Sequence, residues 1–161
     1  MFQRRNIVFI AILSALGGCA TQSGPVSVTE TIANTPTLST LNQLVTSAGL
    51  AETLKGAGPF TVFAPTNDAF KAVPAKTMEA LGKDPALLKE VLTYHVTSGK
   101  LLAADLKNND KLKTLNGAEI VVSKAGDFVT VEDGVVQAAN LNASNGVVHA
   151  IDVVLTPPKK K

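Results

Sequence analysis

The chain has 161 residues, of which 45% are hydrophobic and 17% are charged, and it contains a single cysteine. This length suits one domain, and a single cysteine excludes an internal disulfide, so the core must come from apolar packing. The net charge is +2, but Arg4 and Arg5 are the only arginines; without them the 15 basic residues fall to 13 and balance 13 acidic ones, so nucleic-acid binding lacks its basic face.

The N-terminal segment 1–18 has the pattern of a lipoprotein signal peptide. Its positive charges precede an apolar run at 7–16, which is shorter than the about 20 residues of a membrane-spanning helix. The sequence Leu16-Gly17-Gly18-Cys19 resembles the bacterial lipobox, in which the cysteine is acylated after cleavage. We therefore predict a membrane anchor at Cys19, carrying acyl chains such as palmitate, with an ordinary signal peptide as the alternative.

The segment between the anchor and the globular region is short. Residues 19–25 form the acylated cysteine and a polar tether, residues 26–158 the globular domain, and residues 159–161 a basic tail. Fully extended, the tether reaches about 25 Å, which keeps the domain close to the membrane. The two positions directly after Cys19 are Ala20 and Thr21, neither of them acidic, and this favours the outer membrane of the bacterial envelope, facing the periplasm or the cell surface.

The first part of the globular region has helical periodicity. Apolar residues recur at helical spacing between positions 26 and 54, and Gly49 is placed as a helix stop. Ser27 or Thr29 is suited to cap an earlier short helix that ends at Ala33.

A strand and a helix are predicted next. The β-branched and aromatic residues at 59–64 predict a short buried strand. Thr66 or Asn67 is expected to cap the following helix, with Asp68 in its first turn, where a carboxylate suits the helix dipole. Phe70 is expected to point into the core.

Prolines mark the starts of two further short helices. Pro74 and Pro85 lie at or just before these starts, a position that suits proline because the first helical N–H has no intrahelical partner. The second of these helices is predicted to extend to Tyr94. Helices therefore dominate the first half of the globular region.

Strands and tight turns dominate after residue 95. Asn116-Gly117 and Asp133-Gly134 are typical of two-residue hairpins. A last strand is predicted at 147–155, and its nearly continuous apolar residues indicate a central strand covered on both faces. Because helices and strands are segregated rather than alternating, the sequence predicts an α+β fold.

Three segments resemble motifs of the fasciclin domain: residues 61–70, 88–96 and 145–157. The resemblance extends over about residues 26–158. It implies a wedge-shaped β-sandwich flanked by short α-helices, with the helices mainly in the N-terminal half and β-hairpins in the C-terminal half. It also implies a non-enzymatic adhesion or binding module that works outside the cell and needs no cofactor.

The polar residues and the glycine of the first and third motifs have a simple architectural interpretation. Helix caps and turns use these residue types constantly. Asn145-Gly146 is expected to supply a left-handed backbone conformation for the turn into the last strand. The motif residues interpreted in this way, together with the core phenylalanine, are Thr66, Asn67, Asp68, Phe70, Asn145 and Gly146.

The chain's single tyrosine and its two histidines are the sharper candidates for binding a partner. They are Tyr94, His95 and His149. Two histidines do not supply the three or four ligands of a zinc site, and no serine lies in a nucleophile elbow, so neither a metal centre nor an enzyme is predicted. The alternative is that both histidines are partly buried and bonded to backbone groups.

A further pair of candidates comes from the resemblance alone. In eukaryotic fasciclin domains, the Tyr-His region and an Asp-Ile pair shortly before the last motif have been associated with integrin binding. Asn140 and Leu141 occupy the positions of that pair here. The acidic residue is therefore missing, and integrin-type recognition is not expected.

The leading prediction for function is an anchored, extracytoplasmic adhesion or interaction module that binds a protein or glycan at the bacterial cell envelope. The alternative is a carrier that holds a hydrophobic small molecule, such as a carotenoid or a lipid, in an apolar cleft. Only five aromatic residues follow the signal segment, which argues against a carrier. A secreted hydrolase is not expected, because the sequence offers no arrangement of a nucleophile with a base.

Overall fold

The computed structural model describes residues 26–158. The predicted signal peptide, Cys19 and its tether, and the basic tail lie outside the described residues. Within residues 26–158, no helix is long and apolar enough to cross a bilayer.

The helices are α1 (Val28–Ala33), α2 (Ser39–Ser47), α3 (Ala51–Lys55), α4 (Asn67–Ala72), α5 (Ala75–Lys83) and α6 (Pro85–Tyr94), with a 3₁₀ helix at Pro36–Leu38. The strands are β1 (Phe60–Pro65), β2 (Val96–Ser98), β3 (Asp110–Lys113), β4 (Glu119–Ala125), β5 (Phe128–Val131), β6 (Gly134–Ala143) and β7 (Gly146–Ile151).

The strands form one hydrogen-bonded order, β2-β1-β7-β6-β5-β4-β3. All neighbours are antiparallel except β1 and β7, which pair in parallel. The two outer strands approach each other, because Thr97 bridges Thr114 and the Leu115 N–H donates to the Val96 carbonyl oxygen at 2.8 Å. The sheet therefore folds over on itself. The helices precede residue 95 and all strands except β1 follow it, which confirms the predicted α+β class.

Two apolar clusters fill the molecule. One packs the N-terminal helices against the β1–β7 part of the sheet and includes Leu41, Val45 and Phe70. The other lies among the strands and includes Phe63 and Ile120. β7 is buried along its whole length, as predicted for a central strand.

The helix ends follow the predicted signals. Ser27, one of the two proposed caps, caps α1 and forms a capping box with Glu30. The hydrogen bonds from Ser27 lower the pKa of the Glu30 carboxyl. Gly49 follows the C-cap of α2 with φ of +66°, a conformation that glycine adopts without a steric penalty.

The helices after β1 also begin where the sequence predicts. Thr66 caps α4 by accepting a hydrogen bond from the Ala69 N–H, and Phe70 is buried with 6% of its surface exposed. α5 begins directly after Pro74, and Pro85 is the first residue of α6.

The predicted hairpins need correction. Five residues, 114–118, separate β3 from β4, so Asn116-Gly117 is not a two-residue turn. Between β5 and β6 the turn is Glu132-Asp133, one residue earlier than predicted, because Gly134 already pairs with Val131 and the positive φ falls on Glu132. Gly126-Asp127 forms a two-residue turn between β4 and β5, which was not predicted from the sequence.

The last strand is shorter than predicted. β7 ends at Ile151 instead of continuing to residue 155. The strand pairing stops there because the Asp152 side chain takes the place of a backbone acceptor and accepts from the Val135 N–H at 2.7 Å. The Asp152 N–H donates to the Val135 carbonyl oxygen. Val154 and Leu155 stay buried without strand pairing. At this point in the chain, the apolar run indicates burial and does not indicate strand pairing.

Candidate partner-binding surface

His149 lies on the central strand β7 and is fully buried. Its Nδ1 accepts a hydrogen bond from the Asn140 N–H at 3.2 Å, and its Nε2 is 2.8 Å from the Leu101 carbonyl oxygen. Since a carbonyl only accepts, the ring proton lies on Nε2 and the imidazole is neutral. Burial lowers the pKa of His149, against the smaller raising effect of the bond to Leu101. The ring also stacks on Phe63, with centroids 5.7 Å apart.

The loop that receives the His149 hydrogen bond is tied to the sheet at further points. The Thr61 hydroxyl on β1 donates to the Gly99 carbonyl oxygen at 2.6 Å and accepts from the Leu101 N–H at 2.9 Å. The Asn140 side chain accepts from the Ala103 N–H at 2.9 Å. Residues 99–105 are therefore held in one conformation by side chains from three strands.

β6 is irregular where it meets this loop. Its register against β7 shifts between Val136 and Ala138 and again between Ala138 and Leu141, and Asn140 has φ of +59°. Such bulges re-aim side chains and interrupt an exposed strand edge. Residues 137–140 are exposed and Leu141 is half-buried. We call residues 99–105 together with 137–141 the loop–bulge surface.

The structure brings Asn140, Leu141 and His149 together at the loop–bulge surface. Of these three, Asn140 is exposed and Leu141 is half-buried, whereas the His149 ring holds the surface from beneath. Their role in binding a partner stays a prediction.

Tyr94 and His95 make their side-chain contacts elsewhere. His95 is 2% exposed; its Nδ1 donates to the Val91 carbonyl oxygen at 2.8 Å and its Nε2 accepts from the Leu155 N–H at 2.9 Å. Burial lowers the pKa of His95 to about 4. The Tyr94 hydroxyl lies 3.4 Å from the Glu119 carbonyl oxygen, and burial raises its pKa. Both rings are packed inside the fold, and a role in partner binding is again a prediction.

The loop at 99–105 and its anchor Thr61 were not predicted from the sequence. A signal for Thr61 was present, because it is a polar residue inside an otherwise apolar buried strand. A buried hydroxyl requires a hydrogen-bond partner, and here the partners are backbone groups of the loop.

Asn145 connects the start of the last strand to two helices. Its Oδ1 accepts from the Val28 N–H at 2.8 Å, and its Nδ2 donates to the Leu54 and Gly56 carbonyl oxygens at 2.7 and 2.9 Å. The predicted left-handed conformation at Asn145-Gly146 is wrong, because neither residue has a positive φ. Gly146 is required for space instead, since a Cβ there would meet β1.

Asn67 has a similar connecting contact, whereas Asp68 does not. The Asn67 side chain accepts from the Thr40 N–H near the start of α2 at 3.0 Å and donates to the Pro36 carbonyl oxygen at 3.1 Å. Asp68 is exposed and accepts from Lys71 at 2.8 Å, which raises the pKa of Lys71.

The described residues include no group of three or more His, Cys, Asp and Glu side chains arranged to hold a metal ion. Two pockets of about 210 Å³ flank the segment 153–156. One is polar and includes Tyr94, Glu132 and Asp133 in its walls. The other is apolar and lies against α4 and the residues that follow it, including Val73. Each is smaller than the about 300–1,000 Å³ of typical small-molecule sites.

Comparison with known proteins gives a consistent result. The model of the fasciclin domain family matches residues 36–157. A Synechocystis protein, "Protein sll1483", is 42% identical over 149 residues, which cover 90% of this chain and 81% of that protein. The "Cell surface glycolipoprotein MPB83" of Mycobacterium bovis is 38% identical, covering 81% of this chain and 60% of that protein.

Animal proteins match over a smaller share of their length. The pig "Transforming growth factor-beta-induced protein ig-h3" is 42% identical over 117 residues, which cover 73% of this chain and 17% of that protein. A solved structure of a FAS1 domain pair from the insect cell adhesion molecule Fasciclin I superposes with a TM-score of 0.67 at 17% identity, covering 82% of this chain and 51% of that chain.

Proposed function

Because this chain belongs to the fasciclin domain family, we propose that it is a membrane-anchored interaction module that binds a protein or glycan at the bacterial cell envelope. The family consists of non-enzymatic, adhesion-type domains, and its members similar to this chain include cell-surface proteins. An extracytoplasmic location fits these relatives. The lipid anchor at Cys19 and the outer membrane are parts of the proposal that rest on the sequence pattern.

The observation that carries the proposal is the construction of the loop–bulge surface. The residues of the loop and the bulge are exposed or half-buried. The buried side chains of Thr61 and His149 hold the loop from beneath, and the exposed Asn140 side chain bonds the bulge to the loop. Rigid support of irregular backbone is what a recognition surface needs, because a preorganised surface loses less conformational entropy on binding.

The carrier alternative has weaker support. A carotenoid or an acyl chain needs a long apolar cleft, whereas the apolar pocket against α4 holds about 210 Å³. We therefore place the partner on the surface. The carrier stays an outcome of the binding test.

The test of surface binding uses two matched substitutions of exposed alanines. Ala104 lies in the loop–bulge surface, and Ala125 lies at the end of β4. Ala104→Arg adds bulk and charge to the proposed site, whereas Ala125→Arg adds the same group elsewhere. The full chain and both variants are immobilised and exposed to detergent-solubilised envelope of the source bacterium, and retained proteins, glycans and lipids are quantified separately.

We expect that a protein or glycan is retained by the wild type and by Ala125→Arg but not by Ala104→Arg. Equal retention by both variants would refute the loop–bulge surface as the binding site. A pigment or lipid that co-purifies in stoichiometric amount with all three proteins would favour the carrier.

Anchoring is tested separately. Labelled palmitate fed to the expressing bacterium is expected to enter the wild-type protein and to be absent from Cys19→Ala. Equal labelling of both proteins would contradict the anchor without bearing on the binding surface.

A further inference from the structure

The contact between His149 and Asn140 depends on a neutral imidazole. Nδ1 serves as the acceptor for the Asn140 N–H, while Nε2 donates to the Leu101 carbonyl oxygen. A proton added to the ring must go to Nδ1, because Nε2 already carries one. Nδ1–H and the Asn140 N–H would then be two donors facing each other with no acceptor between them.

The two contacts of the ring respond differently to that proton. Leu101 keeps its hydrogen bond, because its carbonyl accepts from a neutral or a charged ring. The Asn140 N–H loses its acceptor, and it belongs to an exposed bulge with an interrupted ladder and a positive φ. The bulge is therefore the part that gives way, and the bond from Ala103 to the Asn140 side chain is lost with it.

Within residues 26–158, no carboxylate is hydrogen-bonded to the His149 ring. The strands packed around it, β1, β6 and β7, contain no charged residue. The loop carries Lys100 and Asp105, both exposed, and the Asp105 carboxylate accepts from the Leu102 N–H. Farther along, Lys107 is exposed, and the Glu30 carboxylate of α1 is bonded to Ser27. A buried cation without a paired carboxylate is unfavourable.

We propose that His149 is a proton-sensitive latch. When the ring is neutral it keeps the loop–bulge surface in its hydrogen-bonded conformation, the closed state, and when Nδ1 gains a proton it releases residues 137–141, which gives the open state. The latch is a property of the fold, and only its effect on partner binding rests on the proposed function. Such a device suits an extracytoplasmic domain, which is exposed to the pH of its surroundings.

The direction of the response follows from linkage. The pKa of His149 in the closed state is lowered from 6.5, and in the open state the ring returns towards its ordinary value. The open state therefore binds more protons, and the opening equilibrium rises by up to about tenfold for each pH unit below about 6.5. Above that pH the latch stays closed.

Amide hydrogen exchange of the full chain, followed by NMR at pH 7.5 and pH 5 and corrected for intrinsic exchange, tests the proposal. We expect protection of the Asn140 and Ala103 amides to fall more than twofold at the lower pH in the wild type. His149→Gln offers an acceptor and a donor but does not titrate, and in this variant the two amides should change less than twofold. His95→Gln, a control at the other buried histidine, should retain the wild-type response.

The latch is refuted if the two wild-type amides change less than twofold, or if His149→Gln loses protection as the wild type does. Should His149→Gln not fold, the wild-type protein alone tests the latch. The pH titration of its His149 ring nitrogens by NMR is then compared with the protection of the Asn140 amide over the same pH range. Protection of the Asn140 amide must then fall as the pH drops below about 6.5 and level off at the pH where the ring itself titrates. Loss of protection that continues below the ring titration overturns the proposal. No partner enters this experiment, so its failure leaves the proposed function intact, and failure of the Ala104→Arg test leaves the latch intact.

Discussion

Gly146 lies so close to Phe60 that a Cβ on the glycine would overlap the carbonyl oxygen of Phe60 and touch Val28. These two residues are direct partners in the parallel pairing of β1 with β7. Because the obstructing atoms are backbone, Gly146→Ala must push two central strands apart. We expect the free energy of unfolding, measured by urea denaturation, to fall by about 1–3 kcal/mol.

Gly82→Ala is the matched control for that substitution. Gly82 lies in helix α5, and a Cβ there would meet no atom within 4 Å. The alanine should stabilise the protein by about 0.5–1 kcal/mol through its helix propensity. Equal destabilisation by both alanines would contradict the close approach at Gly146.

Asn145 is expected to contribute more to stability than any exposed asparagine. Asn145→Ala leaves the Val28 N–H and the Leu54 carbonyl without their partner, and unsatisfied groups of this kind cost about 1–3 kcal/mol. Asn142→Ala on the same hairpin removes an exposed side chain and should change stability by less than about 0.5 kcal/mol. Similar denaturation midpoints for the two variants would show that Asn145 does not connect the helices to the sheet.

Phe70 and Phe128 form a matched pair of phenylalanines with opposite exposure. Phe70 is 6% exposed in the helix–sheet core, and Phe128 is 72% exposed beside the β4–β5 turn. Phe70→Ala should lower the free energy of unfolding by about 3–5 kcal/mol, whereas Phe128→Ala should change it by less than about 0.5 kcal/mol. Unchanged melting of Phe70→Ala would exclude Phe70 from the core.

Sequence signals that depend on neighbouring residues predicted the fold well. The Ser27 and Thr66 caps, the Gly49 stop and the buried strand β1 all follow from local hydrogen bonding or local apolar pattern. The strand ends were predicted less well, because the end of β7 depends on Asp152 reaching Val135 on another strand.

The candidate surface was predicted only in part. Asn140, Leu141 and His149 were identified, but the loop at 99–105 was not, because its conformation depends on Thr61, which lies about 40 residues earlier in the chain. Chain-distant hydrogen bonds leave no periodicity in the sequence. The role of Gly146 was misassigned for the same reason, since the crowding atom belongs to Phe60.

His95 should make the stability of the whole domain depend on pH. Its pKa is about 4 in the folded protein and 6.5 in the unfolded chain, so between these values the unfolded chain binds a proton that the folded protein does not. Stability therefore falls as the pH drops below about 6.5 and is unaffected by His95 above it. Between pH 7 and pH 5 the loss amounts to about 2 kcal/mol.

Urea denaturation at pH 7 and pH 5 measures this loss, and His95→Gln isolates it. Glutamine lacks a titrating group, so the variant should be less stable than the wild type at pH 7 but should lose less stability on acidification. The contributions of His149 and of the carboxylates are common to both proteins and cancel in the difference between them. If acidification costs both proteins the same, His95 accepts its proton in the folded state without penalty, and the buried, neutral ring bonded to Val91 and Leu155 is contradicted.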